Sequence, residues 1–195
     1  RPAPADRRRA RALLGLDDQA VVAFSVARLD PVKDFPSLLE AFSQMRAAVP
    51  TARLLIVGDG PERAALETRA ARPDLAGAVS LLGLRPDVRA LLPAADIYVN
   101  SSISEGISIT ILEAMAAAIP VVATAAGGTP EVLADGATGV LVPVRNHGRL
   151  AEALIAVGAD PSARSRFGML GRQRVETSFT LQRMVAEYAQ LYHRL

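Results

Sequence analysis

The chain has 195 residues, 50% hydrophobic and 22% charged, with 22 basic and 20 acidic side chains and a formal charge of +2. That length and apolar content fit a single domain with a sizeable core and exclude a disordered chain. With no cysteine, a disulfide scaffold, thiolate chemistry and a cysteine metal site are excluded as well. The sequence pI of about 9.5 reflects arginine, which supplies 21 of the basic residues, and its very high pKa. Aromatic content is 4% with no Trp, which leaves few platforms for stacking bases, so nucleic acid is not expected as a partner. Alanine (36 residues) and arginine dominate, as expected of a GC-rich genome, and Lys33 is the single lysine.

The longest apolar stretch, 114–126, is interrupted by Pro120 and stops at Gly127, so no membrane span is expected. Arg1-Pro-Ala-Pro lacks the apolar core of a signal peptide. The first residue is not Met, which suits a fragment or a processed product. Residues 1–11 are basic and Ala-rich and read as a solvated helix.

In chain order, Val21-Val-Ala-Phe-Ser-Val26 reads as a buried strand. Residues 36–48 follow as a helix, with Leu38, Leu39, Phe42 and Met45 at helical spacing and Pro36 in the first turn. A strand is expected over 54–57, a helix over 61–71, a strand over 79–82 and a short helix over 86–92, with Asp87 favourable near its start. Strands follow at 97–99, 121–123 and 140–142, separated by helices over about 109–118 and 130–134. After that only helical patterns remain, over about 148–157, 161–176 and 180–194.

Alternating strands and helices with uniformly apolar strands predict an α/β fold: one Rossmann-like domain, a six-stranded parallel sheet with helices on both faces, plus C-terminal helices. Ligands of such sheets bind beyond the carboxyl ends of the strands, at the switch point of the strand order. The loops of interest are therefore 28–35, 58–62, 83–85, 100–108 and 124–129.

The first of these loops carries Arg28 and Lys33, five residues apart. A planar fork of donors and a compact point charge together suit a diphosphate; taken alone, they also fit two surface cations paired with Asp30 and Asp34. In the fourth, Glu105 precedes a helix that carries Glu113. Gly106 allows close backbone approach, and the amides of Ile107, Ser108 and Ile109 open the helix N-terminus, a natural anion site. A carboxylate there suits ligand hydroxyls, such as those of a sugar. It also suits a helix-terminal charge, and Glu113 a salt-bridge partner. Glu113 stands among apolar neighbours, so it is expected to be exposed or to hold a ligand. In the fifth loop, Gly127-Gly128-Thr129-Pro130 permits either close approach to a ligand or a simple turn before a helix started by Pro130.

Together these elements resemble the C-terminal nucleotide-sugar-binding domain of retaining glycosyltransferases of the GT-B fold, specifically glycosyltransferase family 4. The resemblance rests on Arg28-Leu…Lys33, on Ser104-Glu-Gly-Ile-Ser…Leu112-Glu-Ala-Met-Ala116 with its Glu105-x7-Glu113 spacing, and on Ile119-Pro-Val-Val122. Gly127-Gly-Thr-Pro-Glu131, Gly136-x-x-Gly139-x-Leu141-Val-Pro143 and Phe179-Thr180…Tyr188…Tyr192 extend it over essentially the whole chain. It implies that Arg28 and Lys33 bind the donor diphosphate, that Glu113 binds the ribose hydroxyls and that Glu105 contacts or positions the donor sugar. It places the backbone of Gly83, Leu84 and Arg85 near the base. Gly127, Gly128 and Thr129 would lie near the phosphates or ribose, and the amides following Gly106 at the anion site. Two departures stand out, of which the first bears on sugar-pocket shape and donor identity and the second is milder. Ile107-Ser108-Ile109-Thr110 stands where many relatives have Phe-Gly-Leu-Pro, and Asp34 where glycine is frequent.

The resemblance implies transfer of a sugar from a nucleoside-diphosphate donor with retention. It gives residues 1–195 as the donor half of a GT-B fold and the N-terminal acceptor domain as lying outside this chain. No cofactor is expected, and no metal site, since there is no Asp-x-Asp pair and His147 and His193 are far apart and read as surface residues. The chain alone is expected to bind nucleotide without turning over. Cytoplasmic location, peripheral association with the inner membrane face through the absent domain, and self-association through an exposed interdomain face all follow from the same resemblance. A dinucleotide-binding dehydrogenase would need Gly-x-Gly-x-x-Gly after the first strand, where Arg28-Leu-Asp-Pro stands; Gly58-Asp-Gly60 follows the second strand without a third glycine. The glutamate pair disfavours an epimerase. A non-catalytic nucleotide-sugar-binding module, or one subunit of a split enzyme, stays open.

Overall fold

A computed structural model describes residues 2–193. Six strands form one sheet: β1 (Val21–Val26), β2 (Ala52–Val57), β3 (Val79–Leu81), β4 (Ile97–Asn100), β5 (Val121–Thr124) and β6 (Gly139–Val142). All pairings are parallel, in the order β3-β2-β1-β4-β5-β6. The order reverses between β1 and β4, so the loops after these two strands flank the switch point. The helices are α1 (Pro4–Leu13), α2 (Phe35–Ala48), α3 (Arg63–Ala70), α4 (Val88–Leu91), α5 (Ile109–Ala116), α6 (Thr129–Val132), α7 (His147–Ala159), α8 (Pro161–Ser178) and α9 (Leu181–Tyr192).

Side chains alternate across each strand, and the sheet has a core on each face. One face packs Ala23, Leu54, Ile56 and Val99 against Leu38, Phe42 and Met45 of α2 and Leu150 and Leu154 of α7. The other packs Phe24, Leu55, Tyr98 and Val121 against Leu91 of α4, Ile111 and Met115 of α5 and Val132 of α6. Burying each such side chain stabilises the fold by about 1.5–3 kcal/mol, which is why strands this short hold their register. Among the described residues no helix is long and apolar enough to cross a membrane.

The expected elements are all present, with shifted ends. β2 starts two residues early because Ala52–Val57 pairs residue for residue with Val21–Val26. α3 starts at Arg63, since Pro61 and Glu62 form a turn whose Glu62 amide donates to the Leu29 carbonyl at 3.0 Å. Asp87 does not cap α4; its carboxylate is held by Arg85 at 2.6 and 2.7 Å. The last expected helix reached 194, which lies outside the described residues, as does Arg1. His147 and His193 are both exposed.

The basic N-terminal segment is a helix, solvated over most of its length as expected, with Arg8 and Arg9 exposed, but Ala10 and Arg11 are buried. Arg11 is 2% exposed. It donates to the carbonyls of Asp17, Asp18 and Ala20 and to Asp96 at 2.8 Å. Arg7, one turn earlier, reaches the other Asp96 oxygen at 2.7 Å. Asp96 immediately precedes β4 and also accepts the Val22 amide. Two cations and a strand amide thus share one carboxylate, which offsets the cost of burying it. By contrast, α9 has no buried residue, and Met184, Val185, Tyr188, Leu191 and Tyr192 line it exposed.

Candidate functional site

The loop after β1 turns through Arg28 and Leu29 into a single 3-10 turn, Pro31–Lys33. Asp34 then adopts φ 47°, the left-handed region that glycine favours, and its carboxylate caps α2 at the Ser37 amide. Asp34 is therefore not the partner of Lys33. The Lys33 ammonium instead meets Glu105 Oε1 at 2.6 Å, across 72 residues of chain. Arg28 does pair locally, with Asp30 at 3.1 Å, and its side chain is 72% exposed.

Glu105 sits in the loop between β4 and α5. Its Oε1 also accepts from Ser102 Oγ at 2.7 Å and Asn100 Nδ2 at 3.1 Å. Burial alone would raise this carboxyl. The hydrogen bonds from Lys33, Ser102 and Asn100, with the Lys33 charge, outweigh it and hold the group below the usual carboxylate range. The Lys33 and Glu105 side chains are only 21% and 11% exposed, so solvent screens the pair less than a surface bridge.

Two glycine-bearing loops hold this arrangement from behind. Gly58, at φ 137°, lies so near the β1 loop that a Cβ there would come 1.8 Å from the Ala27 carbonyl oxygen. Leu29 N donates to Asp59 O at 2.9 Å in the same contact. Gly127, at φ 50°, meets the Glu105 backbone likewise; a Cβ would be 1.7 Å from its carbonyl oxygen. The Gly128 amide donates to the Gly106 carbonyl at 3.1 Å. The double glycine is thus a close support for the Glu105 loop rather than a slack turn.

Of the other expected site residues, Ile107 and Ile109 are 52% and 70% exposed, while Ser108 is buried with its hydroxyl 3.1 Å from that of Thr110. The first amides of α5 have no preceding turn to bond, so they can receive an anion. Gly83, at φ 68°, gives its carbonyl to the Gly58 amide. Leu84 and Arg85 border a shallow cleft with Arg28, Gly58, Val88 and Thr110. Glu113 is exposed and lines an adjoining depression beside Arg89 and Arg172, which shares Val88 with that cleft. It forms no ion pair among the described residues. Thr129 is fully buried and presents no side-chain surface to the cleft. The sequence reading missed Asn100, Ser101, Ser102 and Thr124, all buried and all bonded into the two loops. The signal was present: three consecutive polar residues close an otherwise apolar strand. Among the described residues no three His, Asp or Glu side chains cluster as a metal site would need.

Residues 6–174 match the family model for glycosyl transferases group 1. The chain belongs to that family. It is 36% identical over 190 residues to the GDP-mannose-dependent monoacylated alpha-(1-6)-phosphatidylinositol monomannoside mannosyltransferase of Corynebacterium glutamicum, covering 93% of this chain and 49% of that protein. It is 34% identical over 194 residues to alpha-maltose-1-phosphate synthase of Mycobacterium tuberculosis, covering 93% and 50%. Among solved structures, Anabaena HepE in complex with UDP and glucose superposes with a TM-score of 0.90 at 26% identity, over 99% of this chain and 53% of that one. The chain therefore spans about half the length of the relatives it matches, and its fold is one Rossmann-like half of the GT-B architecture.

Proposed function

We propose that this chain is the donor-binding half of a retaining glycosyltransferase that moves a sugar from a nucleoside diphosphate to an acceptor. The observation that carries this reading is the meeting of Lys33 and Glu105 at the switch point, with Arg28 on the same loop and the α5 N-terminus alongside. Cations and helix amides on one side of a carboxylate suit a ligand that is anionic at one end and hydroxylated at the other. HepE was solved with UDP and glucose, and the Corynebacterium relative is named for GDP-mannose, which supports a nucleoside-diphosphate sugar here.

In this reading Arg28, Lys33 and the amides of Ile107, Ser108 and Ile109 receive the diphosphate. They stabilise the charge that develops as it leaves, an effect worth about 3–4 kcal/mol per well-placed donor in comparable sites. Glu105 takes a sugar hydroxyl. Glu113 takes the ribose hydroxyls from the adjoining depression, with the base against the backbone of Gly83, Leu84 and Arg85. The charge is met by side chains and amides, without a metal or other cofactor. The acceptor half pairs with this domain in the whole protein, with the exposed stripe of α9 part of the face it covers; without it the chain binds nucleotide but does not turn over.

Calorimetry with UDP, GDP and ADP tests the assignment, with Lys33→Ala and Glu113→Gln alongside. At least one nucleotide should bind, and each variant should weaken it at least tenfold. If none binds, or both variants bind like the parent, the assignment fails. Sustained sugar transfer by the purified chain would refute the half-site reading.

A further inference from the structure

The buried polar residues at the end of β4 have no place in the function just described. Asn100, Ser101 and Ser102 are 5%, 3% and 1% exposed. Burying three polar side chains is costly unless each is bonded, and the side-chain donor of each leads to one member of the ion pair. Ser102 Oγ and Asn100 Nδ2 both donate to Glu105 Oε1. Ser101 Oγ donates to the Lys33 carbonyl at 2.7 Å. The triplet is itself held: Asn100 Oδ1 accepts the Ser102 amide at 3.0 Å, and Thr124 Oγ1 from β5 donates to the Ser102 carbonyl.

We infer that Asn100 and Ser102 are a seat for the Glu105 carboxylate and Ser101 a seat for Lys33, so that the pair opens onto a diphosphate with both groups kept in place. The inference rests on the donor-site reading. A diphosphate competes with Glu105 for the Lys33 ammonium. When the ammonium turns away, a carboxylate only 11% exposed would be left charged and unpaired. Two donors stay on Oε1, so the carboxylate stays ionised and its Oε2 is presented to a ligand hydroxyl. The anchored carbonyl keeps the Lys33 backbone still while its side chain swings. All three are positioning residues: none needs to touch the donor. Of the titratable groups around Glu105, Lys33 from the β1 loop bonds it, and Tyr98 on β4, whose phenol the Glu105 charge helps to keep protonated, lies near it.

Lys33 is the only lysine, so growth on carbon-13-labelled lysine gives one side-chain signal that reports on Glu105. Following that signal with pH locates the protonation of Glu105. Ser102→Ala should raise its midpoint by about one unit, since a hydrogen bond to a charged group contributes about that much. Ser102→Cys, which keeps the volume but donates poorly, should move it the same way. Ser104→Ala, in the exposed part of the loop, should move nothing. UDP, GDP and ADP are then added, and Ser102→Ala should weaken the tightest of them about tenfold. If both Ser102 variants are folded by circular dichroism and titrate like the parent, the seat is refuted. If the midpoint rises but no nucleotide shifts the lysine signal of the parent, the seat stands and the donor-site reading falls.

Discussion

Replacing Gly127 by alanine should damage the site more than its small size suggests. Two costs add. At φ 50° an L residue sits in left-handed backbone, at about 1–2 kcal/mol. The new Cβ would also lie 1.7 Å from the Glu105 carbonyl oxygen, so one backbone must move, and overpacking of this kind costs about 1–3 kcal/mol. The stiffer unfolded chain returns about 0.4–1 kcal/mol. The sum is a loss of about 1–5 kcal/mol. Two controls separate the costs. Gly136 has φ 69° but nothing within 4 Å of its Cβ position, so Gly136→Ala should lose only about 1 kcal/mol. Gly106 has no positive φ and open space, so Gly106→Ala should be close to neutral. Urea unfolding followed by circular dichroism gives the three values. Because the moving backbone is that of Glu105, nucleotide binding should fall in Gly127→Ala and hold in Gly136→Ala. Equal losses at 127 and 136 would show that the contact with Glu105 does not matter.

Asp96→Asn should destabilise by about 3–5 kcal/mol, because it leaves the buried Arg11 guanidinium without its charge partner; a urea midpoint close to the parent's would contradict this. Ala118 stands at φ 55° just past the C-cap of α5, so Ala118→Gly should be neutral or stabilising by up to about 1 kcal/mol, in contrast to glycine inside a helix; a clear loss in urea unfolding would contradict this. The depressed Glu105 carboxyl binds its proton more readily in the unfolded chain. Its contribution is therefore present above the ordinary glutamate pKa of about 4.3 and is lost as pH falls through the lower folded value. Unfolding curves of parent and Glu105→Gln should accordingly converge in acid and diverge above about pH 5; a constant separation would dissociate Glu105 from the effect.

The sheet was legible because buried parallel strands such as Val21–Val26 are almost wholly apolar, with Ser25 the exception, and the loops after β1 and β4 were legible as those that flank the switch point. Arg28, Lys33 and Glu105 stood out individually by residue type and spacing. Their pairing was not. A local rule offered Asp34 to Lys33, whereas the fold brings in Glu105 from 72 residues away. The role of Arg11 is hidden in the sequence for the same reason. Its basic, Ala-rich surroundings describe a surface helix, and only the distant Asp96 makes it a buried anchor. Asn100, Ser101 and Ser102 looked like loop composition because hydroxyl and amide groups signal turns as readily as hydrogen-bonded supports.

The strand order carries a consequence for how the chain reaches this state. β1, β2 and β3 are consecutive, as are β4, β5 and β6, and within the sheet the two runs join only at β1 against β4. Each run can assemble from near neighbours in the sequence, while the join closes the longest loop and carries the largest entropic cost. Lys33 belongs to one run and Glu105 to the other. The proposed binding groups therefore meet only when the halves dock, which this strand order predicts to come late in refolding. After a jump out of denaturant, nucleotide binding should lag behind the return of helix signal; simultaneous recovery would mean that the halves never form apart.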